Sequence, residues 1–176
     1  GICTSLSGWT RDLLGEPDAE WLSGRCEVLS GPPGITGKPA SRWEYLIALA
    51  RTYGWKRGAE LGIWYGQTFF NLLDAIPSLD LVGVDAWLPG VASPHHQDQD
   101  RNRADVYARQ VGYAERSRLI AATTTEAAAM VPDGSLDFVF IDAAHDYRSV
   151  RADIRNWFSK IATGGFLIGH DWDWPT

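Results

Sequence analysis

The stretch from Arg57 to Asp85, RGAELGIWYGQTFFNLLDAIPSLDLVGVD, decides the fold. Ala59 to Leu61 reads as a short strand set between Gly58 and Gly62. Gln67 to Ile76 places Phe69, Phe70, Leu72, Leu73 and Ile76 on a broad helical face, and Pro77 and Ser78 end that helix. Leu81 to Val84 is an apolar run that stops at an acid, Asp85. Strand, glycine turn, helix and strand make a βαβ crossover with parallel strands. Such a unit offers a nucleotide-like ligand the N–H groups of a helix N-terminus, glycines for close approach and a carboxylate for ribose hydroxyls.

Working outward, Ser41 followed three residues later by Glu44 is a capping box for a helix from Arg42 to about Tyr53. Trp43, Leu46, Ile47 and Leu49 or Ala50 form its apolar face, and Gly54 is its stop. Downstream of Asp85, Ala86 to Asp100 reads as a polar loop. His95 and His96 sit side by side there and point to opposite sides, so they make no joint metal site. Ala104 to Val111 is expected to be helical and Leu119 to Ala121 to be a strand. Thr124 is expected to cap a helix through Glu126–Met130, with an exit at Pro132, Asp133 and Gly134. Leu136 to Ile141, LDFVFI, is apolar enough to be buried on both sides of a parallel sheet. A helix carrying Val150, Ile154, Trp157, Phe158 and Ile161 on one face follows, and Gly164 and Gly165 turn the chain into a last strand, Phe166 to Gly169. Five strands alternating with helices imply a doubly wound, Rossmann-like, mainly parallel α/β sheet.

The whole chain has 176 residues, the length of one domain. We divide it into a Gly/Pro-rich lead-in or cover segment, residues 1–39, and a ligand-binding domain, residues 40–176. Forty-five per cent hydrophobic and 22% charged residues is an ordinary globular composition. The formal charge of −6 without a Lys/Arg cluster argues against nucleic acid as a partner. No apolar run reaches the roughly 18 residues that a membrane helix needs, and no charged-then-apolar leader is present, so the cytoplasm is the expected location. Cys3 and Cys26 lack a CxxC spacing and are read as free thiols. Nine Trp residues are many for this size. Most are expected to pack, with one or two free to stack on a ligand or wall a pocket.

Open parallel sheets bind ligands at the carboxyl ends of their strands. Those ends are Glu60–Gly66, Asp85, Thr123–Thr125, Asp142–Asp146 and His170–Asp173, and four of the five carry acids or histidines. The first turn lacks the G-x-G-x-x-G of dinucleotide sites, because Ile63, Trp64 and Tyr65 separate Gly62 from Gly66. What stands there is E-x-G-x-x-x-G-x-T, from Glu60 to Thr68. Together with VGVDAW, LDFVFIDAAHDY and GGFLIGHDW, it resembles the class I S-adenosylmethionine-dependent methyltransferases, in the macrocin-type, methyltransferase domain 24-like group of small-molecule O-methyltransferases. The resemblance covers about residues 40 to 174.

The resemblance implies S-adenosylmethionine as cofactor and a hydroxyl of a small metabolite or sugar as methyl acceptor. By it, Glu60, Gly62, Gly66 and Thr68 belong to the cofactor-binding turn and Asp85 takes the ribose hydroxyls. Thr123 and Thr124 lie near the adenine, and Asp142 lies beside the sulfonium. Three catalytic arrangements stay open. Mg²⁺ on Asp142 and Asp171 orients the acceptor oxygen, as in several relatives; His145 or His170 acts as general base without metal; or these side chains make structural hydrogen bonds and a cofactor contact only. The second glycine of the usual G-x-G-x-G turn is missing here. The family's sheet also continues past the fifth strand, whereas this chain ends at Thr176, so strands six and seven are expected to be lacking. That would leave an apolar edge, which a fragment tolerates and a homodimer covers. The alternatives carried are a nucleotide- or NAD-binding oxidoreductase-like domain and a catalytically silent cofactor-binding domain.

Overall fold

The computed structural model describes residues 2–4, 27–29, 41–88 and 98–169. Two stretches of the lead-in are strands, β1 (Ile2–Thr4) and β2 (Glu27–Leu29). The chain continues as α1 (Arg42–Tyr53), β3 (Arg57–Leu61), α2 (Gln67–Ala75), β4 (Asp80–Asp85), α3 (Gln99–Gln110), β5 (Ser117–Ala121), α4 (Thr124–Ala128), β6 (Leu136–Ile141), α5 (Tyr147–Phe158) and β7 (Ile161–Gly169). The strands form one sheet in the order β2-β1-β7-β6-β3-β4-β5, with every pairing parallel. The expected five-stranded, doubly wound sheet is therefore present, with β3 at its centre.

The edge of β7 differs from expectation. β1 pairs with it, Ile2 opposite Phe166 and Cys3 opposite Leu167, and β2 pairs with β1. The lead-in thus covers the apolar strand, and this edge asks for no second chain.

Strand alternation divides the core into two layers. Phe138, Phe140, Phe166 and Ile168 face the layer of α1 and α2, with Leu46, Leu49, Phe69, Phe70, Leu72 and Leu73. Val139, Ile141 and Leu167 face the other way, with Ala59, Leu61, Ile154 and Trp157. At roughly 1.5–3 kcal/mol for each large apolar side chain fully buried, these two layers hold the strand ends in fixed register.

The capping box at Ser41 and Glu44 forms as expected, and Gly54 closes α1 in the left-handed conformation at φ 67°. Three boundaries need correction. α3 starts at Gln99 instead of Ala104 because Asp98 caps it, accepting the Arg101 N–H at 2.8 Å. Only Val106 of this helix is buried, so it has little apolar period to read. α4 is capped by Thr123, not Thr124, because Glu126 three residues on completes the box with Thr123, and the helix ends at Ala128. Finally, Ile161 opens β7 instead of completing the face of α5. The register slips between Leu136, opposite Ile161, and Phe138, opposite Phe166, so Gly164 and Gly165 lie inside the strand.

Candidate functional site

The pleat gathers the acids. On β3, Gly58 turns toward α1 and α2, where a Cβ would sit 2.1 Å from the Phe138 ring, and Glu60 two residues on turns the same way. Glu60 is paired with Gly83 on one side and Phe140 on the other. Asp85 and Asp142 lie one pleat repeat beyond those two partners. The three carboxyls therefore approach one another on one face of the sheet.

Arg42, at the first turn of α1, answers that concentration of charge. Its Nε donates to Thr68 Oγ1 at 2.8 Å and lies 3.2 Å from Asp142 Oδ2. Glu60 is only 2% exposed, and its Oε2 has no hydrogen-bond partner among the described residues. Burial raises its pKa well above the ordinary carboxylate range, Asp142 and Asp85 add to the rise, and Arg42 opposes it. An ionised carboxylate buried without full pairing costs several kcal/mol, which is the physical cause of that rise.

The turn after β3 is pressed onto its neighbours. Gly62 has φ 92°, and a Cβ there would lie 2.2 Å from the Asp142 carbonyl oxygen. Gly66, at φ 82°, precedes α2, and a Cβ would strike the Phe70 ring. Asp85 Oδ2 accepts the N–H groups of Ile63 at 2.9 Å and Trp64 at 2.7 Å, and Oδ1 accepts that of Trp87 at 2.7 Å. Trp64 and Trp87 are both left-handed, at φ 52° and 44°, and the Trp87 Nε1 donates to the Trp64 carbonyl at 2.8 Å. Bulky residues hold such backbone only where the surroundings over-determine it, and here the Asp85 carboxylate does so.

Opposite this turn, α5 packs on α4. Asp146 caps α5, accepting the N–H groups of Arg148 and Ser149 and the Ser149 hydroxyl, which holds its pKa below the usual range. Trp157 Nε1 donates to the Thr124 carbonyl at 3.0 Å. Asp153 is 2% exposed; burial raises its pKa to about 6, the nearby Thr124 side chain pulls it down, and Asp146 pushes it up.

Between the walls lies a cleft of about 710 Å³. The structure brings Gly62, Asp85, Thr123, Thr124, Asp142 and His145 around it, and sets Glu60, Gly66 and Thr68 behind it. His170, Asp171, Asp173, His95, His96, Trp172 and Trp174 lie outside the described residues. The proposed metal pair therefore has one described member, Asp142, which already faces Arg42. Among the described residues no three His, Cys, Asp or Glu side chains converge as a metal site would need, and no helix is long and apolar enough to cross a membrane.

Sequence reasoning missed Arg42 and Asp153. Nothing in the sequence around Arg42 shows that α1 crosses the ends of β3 and β6. Asp153 did leave a signal: it falls three residues after Val150 and four before Trp157, a charged residue on an apolar stripe.

Comparison with known proteins gives the family. A family model described as a methyltransferase domain matches residues 59–172, from β3 past β7. The chain belongs to that family. Among solved structures, a Staphylococcus aureus protein assigned as a caffeoyl-CoA O-methyltransferase superposes with a TM-score of 0.58 at 16% identity, over 86% of this chain and 63% of that one. The S-adenosylhomocysteine-bound methyltransferase PaMTH1 of Podospora anserina gives 0.58 at 15% identity, over 94% and 62%. At these identities the likeness shows the fold, that of class I methyltransferases. The protein y4gI of Sinorhizobium fredii is 31% identical over 120 residues, 66% of this chain and 13% of that protein. This methyltransferase domain thus spans a small part of y4gI and less than two thirds of either solved structure.

Proposed function

We propose that the cleft binds S-adenosylmethionine and that the chain directs methyl transfer to a hydroxyl of a small metabolite or sugar. One observation carries the reading. The amides of Ile63 and Trp64, which a pyrophosphate would need at the first turn, are already taken by Asp85. A site whose turn amides are spent on its own carboxylate suits a ligand without phosphate. The cleft volume falls in the range of small-molecule sites.

S-adenosylmethionine supplies an electrophilic methyl group on a sulfonium. The chain's own residues do the rest. Asp85 uses three of its roughly four acceptor positions on the backbone and keeps capacity for a ribose hydroxyl. Asp142, held by Arg42, keeps a carboxylate at the mouth of β6 beside the positive sulfur. The exposed imidazole of His145, on the β6–α5 loop that lines the cleft, accepts the acceptor hydroxyl's proton. Holding oxygen, methyl and sulfur in line accounts for most of the rate that such a transfer requires.

Calorimetric titration with S-adenosylmethionine, S-adenosylhomocysteine and NAD tests the reading. Binding of the first two without NAD is expected. Binding of NAD alone, or of none, overturns it. Radiolabelled methyl transfer to a panel of hydroxylated and amine-bearing small molecules then tests the acceptor, and labelling confined to nitrogen would refute O-methylation.

A further inference from the structure

Arg148 carries a charge that the mechanism above does not use. It is exposed on the first turn of α5 and lines the cleft, where among the described residues it is the one Lys or Arg. The sequence leaves its guanidinium without a local partner. Arg101 has Asp105 four residues on, at 3.8 Å, whereas Arg148 is followed at three and four residues by Arg151 and Ala152. Asp146, two residues before it, spends its carboxylate on the N–H groups of Arg148 and Ser149 and on the Ser149 hydroxyl. Among the described residues no ion pair joins the Arg148 guanidinium to a carboxylate. Arg42, by contrast, is engaged by Thr68 and Asp142. The rest of the cleft is acidic, lined by Asp85, Asp142, Asp146 and Asp153. Those acids suit the ammonium and sulfonium of the cofactor, and they disfavour an anion anywhere but beside Arg148.

We infer that Arg148 determines specificity for the methyl acceptor, and that this acceptor carries a carboxylate as well as the hydroxyl that is methylated. The inference rests on the reading of the preceding section and narrows its acceptor to hydroxycarboxylic acids. A guanidinium is a planar fork that meets a carboxylate through two parallel N–H···O bonds. The N-terminus of α5 adds little to it, because Asp146 already takes two of the helix N–H groups and is held ionised by those bonds. One positive charge beside a fixed negative one suits a monoanion, whereas a phosphate dianion would face Asp146 without a second cation. His145, three residues before Arg148, lines the same cleft, so the anion is anchored on the segment that takes the hydroxyl's proton.

The test measures radiolabelled methyl transfer by the full chain to matched probes, phenolic and aliphatic hydroxycarboxylic acids and their primary amides, beside calorimetric titration with S-adenosylhomocysteine. The wild type is expected to favour the acid of a pair by about tenfold or more in kcat/KM, with the difference in KM. That preference should shrink as salt is raised. Arg148→Gln should bring the ratio of acid to amide near one, and Arg148→Lys should keep part of it, while both variants bind S-adenosylhomocysteine as the wild type does. A purely structural role would lower transfer to acid and amide together and leave the ratio unchanged, which overturns the inference. Weakened S-adenosylhomocysteine binding in Arg148→Gln also overturns it, since Arg148 would then serve the cofactor's own carboxylate. Transfer to neutral hydroxyl compounds but to none of the acids overturns it and leaves the preceding reading standing. Failure of the wild type to bind S-adenosylhomocysteine overturns that reading itself.

Discussion

The two walls of the cleft each bury one carboxylic acid, and they accommodate it in different ways. On the α1/α2 side, Glu60 sits near a cation, but the Arg42 Nε is engaged by Thr68 and Asp142, and Glu60 Oε2 is left without a partner among the described residues. On the α4/α5 side, Asp153 lines the cleft, and the nearby Thr124 side chain only partly offsets its burial. Both pKa values rise, chiefly through burial. The difference teaches that proximity to a charge matters less than whether that charge is already committed. Arg42 is held by Asp142 and Thr68 and only partly offsets the burial of Glu60, whereas the pKa of Asp153 is raised to about 6.

The contrast between the walls is broken most severely at the joint between them. Gly62→Ala would place a methyl group against the Asp142 backbone at a left-handed position, and should cost about 4 kcal/mol in urea unfolding. Next comes the cation: Arg42→Ala should cost about 3 kcal/mol, because it leaves the Asp142 carboxylate and the Thr68 hydroxyl without this donor. A loss no greater than that of an ordinary surface substitution would show that the α1/α2 wall does not depend on Arg42.

The smallest effect is the most selective. Asp153 has a folded pKa of about 6 against an ordinary 3.8, so the folded state binds the extra proton between those values. Its contribution to stability is full below about pH 4 and is lost as pH rises through 6. Asp153→Asn, which cannot ionise, should therefore gain at most about 3 kcal/mol over wild type at pH 7–8 and nothing near pH 4. Thermal melts across that range check the sign. A gain independent of pH would mean that Asp153 is not the titrating group.

Much of the scaffold was readable because local chemistry decided it. The capping boxes at Ser41 and Thr123 need only a hydroxyl and a Glu three residues on, although the second was read one residue late. The apolar run of β6 could be nothing but a doubly covered strand. By contrast, α3 began earlier than its sequence suggested because a solvent-facing helix carries little hydrophobic period. The site was partly readable in the same sense. Polar residues at the ends of apolar strands marked Asp85, Thr123, Thr124, Asp142 and His145, since an open sheet presents those ends together.

What the sequence by itself determined, then, is the order of strands and helices and the ends where chemistry gathers, because pattern, caps and turns act over a few residues. Only the tertiary structure decided that Glu60 shares a face with Asp85 and Asp142, that Arg42 reaches them from α1, that Asp85 takes the turn amides and that Asp153 lines the same cleft as Thr124. It also decided that Ile2–Thr4, at the far end of the chain, lies along β7. Those relations depend on pleat parity, strand register and helix crossing, which bring distant residues together and which no local pattern encodes.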